Sequence, residues 1–343
     1  MYDSNAQAVG DALKAASTAV FTDDVVSQIL SLVSTSTDTE VVVDTVTATN
    51  NGTIEAAAGT EVLFVNVANS GGTTVTVTGE APVILFQGAG GVDASIGNAS
   101  TAEGGSSAAT IPGDEIERFV VGTAAADTIT IVDGKNTQII AGDGDEINAG
   151  TGHTVVIAAQ GDSVVNGGGN TVVQAAGNEE DFVVSVAAGV ATITNATTGV
   201  SVALTDVNLV QLDDGDALVF ADNEDEAAVA NLYHAVFGRN ADYSGLDFWY
   251  DRVEEGISLE RIAQGFLDSD EYTNETQTDA QFLDSLYDNL LDRDGDAIGT
   301  AFWLGQLEDG LSRAEVLVAF AEASVSGDEV DVVGTVTIID PTA

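Results

Sequence analysis

The sequence contains no cysteine, only three prolines, and only eight lysine and arginine residues among its 343 positions. Without cysteine the chain has no disulfide, no thiolate metal site and no cysteine nucleophile. The eight cations are scattered among 56 aspartate and glutamate residues, which gives a net charge of −48. Because nucleic acids and anionic membrane surfaces are bound mainly by lysine and arginine, this composition argues against both as partners.

Long apolar runs are also missing. The longest, such as VLFVNVA from Val62, fall far short of the roughly 20 residues that span a bilayer, so we expect no membrane insertion. The first residues lack the basic and apolar regions of a conventional signal peptide. The large negative charge opposes compaction unless it is screened or neutralised by bound divalent cations. A calcium-rich environment would therefore suit this chain.

Hydrophobic periodicity divides the N-terminal third into two regions. Residues 1–38 place Val9 and Leu13 at helical spacing, which predicts a helical segment. Residues 39–121 change to strand-like runs separated by Asn- and Gly-containing turns, namely EVVVDTVTAT, EVLFVNVA, TTVTVTG and PVILFQG. We predict an antiparallel or solenoid β-region there, with a long Gly-, Ala- and Ser-rich loop over 88–114.

The next region, 122–222, contains a short internal repeat. Apolar β-branched residues recur at steps of 10, 8, 8, 9 and 8, at Ile129, Ile139, Ile147, Val155, Val164 and Val172. Each follows a glycine-containing polar turn, and each strand is too short to be stable alone. The pattern predicts stacked coils that bury Val and Ile against neighbouring coils while Gly occupies the corners. Residues 181–220 predict a β-meander that closes the stack.

These repeat units, each a glycine-containing turn followed by a short strand, are called frames below. They resemble the nonapeptide β-roll repeats of type I-secreted calcium-binding proteins, the RTX family, with consensus G-G-x-G-x-D-x-U-x. The matching glycines are Gly142, Gly144, Gly150 and Gly152. The consensus aspartate is less regular, since Asp127 and Asp162 occupy the position in two frames and Asn136, His153 and Asn170 in others. The resemblance implies bound calcium and type I export with an uncleaved C-terminal signal.

A second repeat has an offset of 54 residues. The segment LYHAVFGRNADYSGLDFW at 232–249 recurs as LYDNLLDRDGDAIGTAFW at 286–303, and EEGISLERIAQGF recurs as EDGLSRAEVLVAF. Ser258 and Ser312 are placed to cap helices after a glycine. The pattern resembles the domain of unknown function 4214 family over about 227–325, which implies a secreted or surface-layer protein without established catalytic residues.

The predicted fold class is therefore multidomain β plus α: a glycine-rich β-solenoid or β-roll-like region followed by an all-α duplicated helical domain over 223–326. The tail, 327–343, contains one β-branched strand from Val330 to Ile339 that needs a partner sheet.

Alternating carboxylates mark the sharpest metal candidate, Asp292, Asp294 and Asp296 in LDRDGDAIG. They offer the oxygen ligands that calcium prefers and begin like an EF-hand loop. The sequence then departs from that loop, because Ala297 replaces the glycine and Trp303 stands at the position of the final glutamate.

The alternative for this segment is a purely structural helix turn, in which Arg239 pairs with Asp242 and Arg293 with Asp296. Two further acidic turns are calcium candidates in the same sense. Their residues are Asp143 and Asp145 in the first and Asp213, Asp214 and Asp216 in the second.

The sequence offers little for catalysis. His153 occupies a turn position of the repeat, and His234 has Asp288 as its counterpart in the second module copy. Neither belongs to a recognisable Ser-His-Asp arrangement. Lys135 beside Asp133 is the best local acid-base pair, and a solvated turn is the simpler interpretation. We therefore expect no enzyme, although a carbohydrate-active enzyme on a β-helix is a third class to test.

The leading functional expectation is a secreted, extracellular structural protein, the subunit of a self-assembling surface layer, filament or biofilm matrix, stabilised by calcium. Its partner is then another copy of itself, and the tail strand is a candidate for addition to a neighbour's sheet. The alternative is a calcium-dependent adhesin or glycan-binding surface protein, with Tyr243, Trp249, Tyr250 and Trp303 as a sugar platform.

Overall fold

The computed structural model describes residues 2–16, 21–33, 40–68, 71–98, 116–158, 160–168, 170–213, 215–273, 276–291, 293–325 and 336–339. The chain divides into two compact units. The first comprises Met1–Ser185 and Val190–Val207, and the second comprises Val186–Gly189 and Asn208–Ala343. A large β region therefore precedes a helical region, as the sequence predicts.

The first unit contains two helices and most of the strands. Its elements are β1 (Tyr2–Asn5), α1 (Ala6–Ala16), α2 (Asp23–Val33), β2 (Glu40–Thr47), β3 (Gly52–Glu55), β4 (Val62–Val67), β5 (Thr73–Thr78), β6 (Val83–Gly88), β7 (Val92–Ile96), β8 (Arg118–Val121), β9 (Thr128–Ile131), β10 (Thr137–Ile140), β11 (Asp145–Asn148), β12 (Thr154–Ile157), β13 (Ser163–Asn166), β14 (Thr171–Gln174), β15 (Phe182–Ala187), β16 (Val190–Asn195) and β17 (Ser201–Thr205). A short 3₁₀ helix at Glu179–Asp181 precedes β15.

Successive strands from β2 to β14 alternate between two sheets. The first sheet takes β2, β4, β6, β8, β10, β12 and β14, and every neighbouring pair is parallel. The second takes β3, β5, β7, β9, β11, β13 and β17, again all parallel. Two antiparallel pairs are added, β1 with β2 and β16 with β17.

The parallel stack runs through both β regions that the sequence separates at residue 121. The sequence leaves an antiparallel and a solenoid arrangement open for 39–121, and the strands described there pair with one another in parallel. The loop predicted over 88–114 is wrong for Val92–Ile96, which form β7, while 99–115 lie outside the described residues. Short strands with small residues gave no clear apolar run there, and parallel neighbours supply their hydrogen bonds.

The core lies between the two sheets. It is filled by columns of β-branched residues that run along the stack, with a contribution from each coil. Ile129, Ile147 and Val165 are in register on β9, β11 and β13, and each is fully buried. The repeat residues Val155 and Val164 face outward instead, with Val164 40% exposed. Adjacent valines in TVVI and SVVN conceal the register, because a strand's side chains alternate between faces.

The predicted N-terminal helical segment is confirmed as α1 and α2. Their apolar faces pack in one cluster with residues of the first sheet. Leu13 and Ile29 are almost completely buried in it beside Leu85 and Phe119. The 3.6-residue periodicity of this segment therefore does place one face of each helix against the β stack.

The described part of the second unit contains three strands and six helices. Its elements are β18 (Leu209–Gln211), β19 (Ala217–Ala221), α3 (Glu224–Phe237), α4 (Tyr243–Glu254), α5 (Leu259–Leu267), α6 (Asp279–Leu291), α7 (Ala297–Glu308), α8 (Arg313–Val325) and β20 (Val336–Ile338). The tail strand has a partner within its own chain, since β20 pairs in parallel with β19. The predicted residues before it, 330–335, lie outside the described part. Among the described helices, none is long and apolar enough to cross a membrane.

Candidate functional site

The acidic turn of Asp143 and Asp145 lies at a corner of the β stack. Asp145 begins β11 and is only 1% exposed. Its Oδ2 accepts a hydrogen bond from the Gly142 N–H at 2.6 Å, and its Oδ1 accepts one from the Asp127 N–H at 2.8 Å. Both carboxylate oxygens therefore fix the path of the backbone, one within the turn and one in the preceding coil.

Asp127 occupies the same corner one coil earlier, because Thr128 of β9 is in register with Glu146 of β11. It is 2% exposed, and its Oδ1 accepts from the Val92 N–H at 2.7 Å, across to β7. The two aspartates thus form a buried column that ties three successive coils of the second sheet together. The irregularly placed aspartate of the repeat indicates this column in the sequence. The backbone groups in other coils that Asp127 and Asp145 accept from lie too far along the chain to be predicted.

Burial controls the electrostatics of this column. Removal from water raises the pKa of Asp145 to about 6, and the carboxylates of Asp127 and Asp143 add to the rise, although the two backbone N–H groups oppose it. Burial also raises the pKa of Asp127. The two carboxyl groups thus both have a raised pKa, and their oxygens accept hydrogen bonds from backbone amides.

Asp143 and Asp162 extend this use of carboxylates to the exposed side of the corner. Asp143 Oδ1 accepts from the Asp162 N–H at 3.1 Å, and Asp162 Oδ1 accepts from the Ser201 N–H at 2.8 Å. The four acidic corner residues, which come from three successive coils, therefore make inter-coil hydrogen bonds, which is a structural role for the predicted Asp143 and Asp145 site.

A buried ion pair links a residue at the start of β8, in the first sheet, to a residue just after β9, in the second. The guanidinium of Arg118 donates to both carboxylate oxygens of Asp133, at 3.0 and 2.6 Å, and the Arg118 side chain is only 2% exposed. Burial alone would raise the pKa of Asp133, but the hydrogen bonds and charge of Arg118 lower it. Asp133 is thus paired with Arg118, while Lys135 forms an ion pair with Glu80. The acid-base pair considered from the sequence therefore has two separate structural partners.

The predicted site at Asp292, Asp294 and Asp296 lies at the start of α7. Asp292 is outside the described residues, and Asp294 is exposed. Asp296 is the N-cap of α7, where its Oδ1 accepts from the N–H groups of Ile298 at 3.0 Å and Gly299 at 2.9 Å. These hydrogen bonds lower its pKa, the one from Gly299 most. One oxygen of this carboxylate is therefore committed to the helix.

The first module copy repeats this arrangement. Asp242 caps α4 by accepting from the Gly245 N–H at 2.9 Å and from the Ser244 hydroxyl at 2.7 Å. Arg239 lies 3.6 Å from Asp242, as the structural alternative for this turn predicts. Burial alone would raise the pKa of Asp242, but the hydrogen bonds and the charge of Arg239 lower it.

The remaining acidic turn joins β18 to β19. Asp213 and Asp216 are exposed, and Asp214 lies outside the described residues. Across the part of the chain that the structure describes, no group of three or more His, Asp or Glu side chains is placed to hold a metal ion. Calcium at the eight predicted aspartates stays a prediction.

The two histidines are both largely buried. His153 is 8% exposed in the β stack, and its backbone N–H donates to Asn136 Oδ1 at 3.1 Å. His234, also 8% exposed, lies on α3 with its Nε2 2.5 Å from Asn240 Oδ1. It borders a cavity of about 850 Å³ in the second unit, which Asp288 also lines. The histidine and its counterpart thus line the same cavity.

One tryptophan in each copy of the duplicated motif is half-buried and packs against a phenylalanine. Trp249 lies 5.0 Å from Phe266, and Trp303 lies 5.3 Å from Phe320, between ring centroids. In the sugar platform considered from the sequence, Tyr243 and Tyr250 are each only 8% exposed, which leaves them little surface for a ligand. The predicted serine cap is present in the second copy, where the Glu315 N–H donates to Ser312 Oγ at 3.2 Å.

Comparison with known protein families agrees with this duplication. The model of the Domain of unknown function (DUF4214) matches twice, at residues 218–276 and 263–325. Comparison with curated proteins gives no significant match, and comparison with solved structures gives none either. The second unit thus contains two segments similar to a family whose description assigns no function.

Proposed function

We propose that the protein is an extracellular structural subunit that self-assembles, and that its β region is a two-sheet β-solenoid. The observation that carries the proposal is one end of the second sheet, which has nine strands and continues from β17 through β16 to β15. Strand β15 is the last strand there, with Val183 60% exposed and the strand FVVSVA free of charge. An exposed, uncharged, apolar edge strand is a template for pairing with another chain.

The other end of the same sheet is β3. An edge at each end lets the sheet of one copy continue into the sheet of the next, in a head-to-tail contact that does not close on itself. The tail strand is not part of this contact, because β20 already has β19 as a partner in its own chain. The buried aspartate column and the Arg118–Asp133 pair stabilise each subunit and leave the edges free to associate.

The role of these carboxylates also supports a structural function over an enzymatic one. The described buried carboxylates of the stack accept hydrogen bonds from backbone amides or from arginine. Extracellular location, type I export and calcium stabilisation are parts of the proposal that rest on the resemblance of the coil repeat to secreted β-rolls and on the charge of −48.

Electron microscopy tests this proposal directly. We expect purified protein at micromolar concentration to form ordered filaments or sheets in millimolar calcium. Because a charge on an edge strand blocks pairing, Val183→Lys should abolish them. The matched control is Val164→Lys, which places the same charge on an outward-facing, 40% exposed side chain of the interior strand β13. Monomeric wild-type protein under all conditions, with calcium or with chelator, would overturn the proposal.

A second candidate, binding of a neutral polysaccharide, is favoured by the outer face of the second sheet. One register column there carries only hydroxyl and amide side chains across seven strands: Thr53, Thr76, Ser95, Thr130, Asn148, Asn166 and Thr205. Strands are about 4.8 Å apart, so an extended glycan would meet a hydrogen-bonding group at each one. The amides of Asn166 and Asn148 already bond along the column, at 2.8 Å.

Retention on insoluble neutral polysaccharides separates this candidate from assembly. Thr76→Val and Thr130→Val together remove two hydroxyls while keeping shape and β-propensity. Weaker retention of this variant with intact filaments would support glycan binding, and unchanged retention would exclude the column as the binding surface.

A further inference from the structure

Helix α7 presents an apolar surface to solvent. In the described structure none of its residues is buried, and Ile298 and Phe302 are 84% and 55% exposed. Ala301 is also exposed, and a Cβ added to Gly305 would meet nothing within 4 Å. These four residues, Ile298, Ala301, Phe302 and Gly305, follow the i, i+3, i+4, i+7 spacing of a single helix face. We call them the α7 stripe.

The first module copy shows what this face looks like when it is solvated. With the offset of 54 residues, the counterparts of the α7 stripe on α4 are Ser244, Asp247, Phe248 and Asp251. Three of the four positions are therefore polar in the first copy and apolar or small in the second. The remaining one, Phe248, is 43% exposed and contacts the Arg252 guanidinium, whose central carbon lies 3.1 Å from the ring centroid. Gln306 replaces that arginine on α7.

Burial within the module does not explain why polar residues of α4 are replaced by apolar or small ones on α7, because this face is exposed in the described structure. It is also unusual for this chain, since residues 297–307 contain no charged side chain although 56 of the 343 residues are acidic. Exposed apolar surface of this kind marks an interaction site in soluble proteins.

We infer that the α7 stripe is a contact between two copies of this chain, in which two α7 helices pack antiparallel about a two-fold axis. This inference deepens the proposed function and rests on it, because it names one of the contacts between subunits. The stripe is self-complementary in that arrangement. Ile298 faces the partner's Gly305, and Ala301 faces the partner's Phe302, so each large side chain meets a small one.

The lack of charge on the stripe itself favours a second copy over a basic partner. The −48 chain attracts cationic proteins in general, but the stripe itself has no charge for such a partner to pair with. Antiparallel pairing brings Asp296 of one copy near Glu308 of the other, so like charges lie at both ends of an apolar contact. Salt screens that repulsion, and self-association should therefore strengthen with ionic strength, whereas binding of a basic partner would weaken.

The contact is small. A four-residue stripe buries less than the roughly 800 Å² per partner of a stable complex, so the contact alone should give a weak, concentration-dependent dimer. An isologous contact also closes on itself, so it yields dimers unless a second contact is present.

The test uses the Val183→Lys chain, in which the sheet-edge contact is blocked. We expect this variant to form a reversible dimer in sedimentation velocity, stronger at high salt. Adding Ile298→Ser, Ala301→Asp and Gly305→Asp gives α7 the residues that α4 carries, and should raise the dimer dissociation constant by at least about 100-fold, because it buries unpaired carboxylates. The control is Thr276→Asp with Ala280→Asp, which adds the same charge at exposed positions of the second unit.

Circular dichroism of each variant checks that the helices remain. An unchanged dissociation constant in the α7 variant, a monomeric Val183→Lys chain, or dimers that weaken with salt would each overturn the α7 contact, while filaments of the wild-type chain would leave the proposed function standing. Wild-type protein that never associates would overturn both.

Discussion

The buried Asp145 carboxylate makes the stability of the β stack depend on pH in an unusual direction. Its pKa is raised by burial from an ordinary 3.8 to about 6 in the folded chain. The folded state therefore holds a proton that the unfolded state has released between these two values. The stabilisation is complete below pH 3.8 and is lost as pH rises through 6. A shift of this size is worth about 3 kcal/mol, of which about 2 kcal/mol falls between pH 4.5 and 7.5.

Asp145→Asn isolates this effect because the amide cannot ionise. It keeps one acceptor for the Gly142 or Asp127 N–H and turns a donor toward the other, which costs about 1 to 3 kcal/mol at every pH. The free energy of unfolding of the wild type should fall by about 2 kcal/mol from pH 4.5 to 7.5 relative to the variant. Glu146→Gln, an exposed side chain on the same strand, is the control for net charge.

Urea unfolding followed by far-UV circular dichroism measures this difference. Both tryptophans, Trp249 and Trp303, lie in the second unit, so their fluorescence reports its unfolding separately and provides an internal reference. If wild type and Asp145→Asn keep the same difference at both pH values, the carboxyl titrates normally and the argument from burial is wrong.

The buried ion pair, the stack interior and the α7 cap carry three further predictions. Asp133→Asn leaves Arg118 buried without its counterion and should lower the free energy of unfolding by about 3 to 5 kcal/mol in urea titrations. Val165→Ala should cost about 2 kcal/mol and Val164→Ala less than about 0.5 kcal/mol, and equal effects would contradict the register. Asp296→Asn preserves the helix cap, so calorimetric calcium binding that it leaves unchanged would exclude this carboxylate as a ligand.

Local patterns in the sequence were sufficient for the type of most elements, although not for β7. The helical spacing in 1–38 predicts α1 and α2, because an amphipathic helix is visible within one short window. The 54-residue offset predicts the duplicated module, because the repeated motif is visible when two such windows are compared. The stepping of glycine turns and β-branched residues similarly predicts strands that stack on one another.

Register and partners depended on information from other coils. Val155 and Val156 are chemically alike, and only pairing with β10 and β14 decides which faces inward. The role of Asp145 was equally hidden, because one of its donors, the Asp127 N–H, belongs to the preceding coil. The sequence identified these carboxylates as calcium candidates from their composition, while their hydrogen bonds depend on how 18-residue coils stack.

The α7 stripe lies between these cases. Aligning the two module copies reveals that Ser244 and Asp251 are replaced by Ile298 and Gly305, but a change toward apolar residues in a helix normally signals burial. Only the exposure of Ile298 reverses that interpretation.

The two proposed contacts predict different products because of their symmetry. The α7 contact is isologous and closes a dimer, whereas the pairing of β15 with β3 is heterologous and continues without limit. With both contacts present, each step along the sheet can add a dimer and so join neighbouring filaments side by side. Blocking β15 should then leave dimers, and blocking α7 should leave single filaments of unlimited length. Filament bundles that survive the α7 substitutions would show that lateral association depends on another surface.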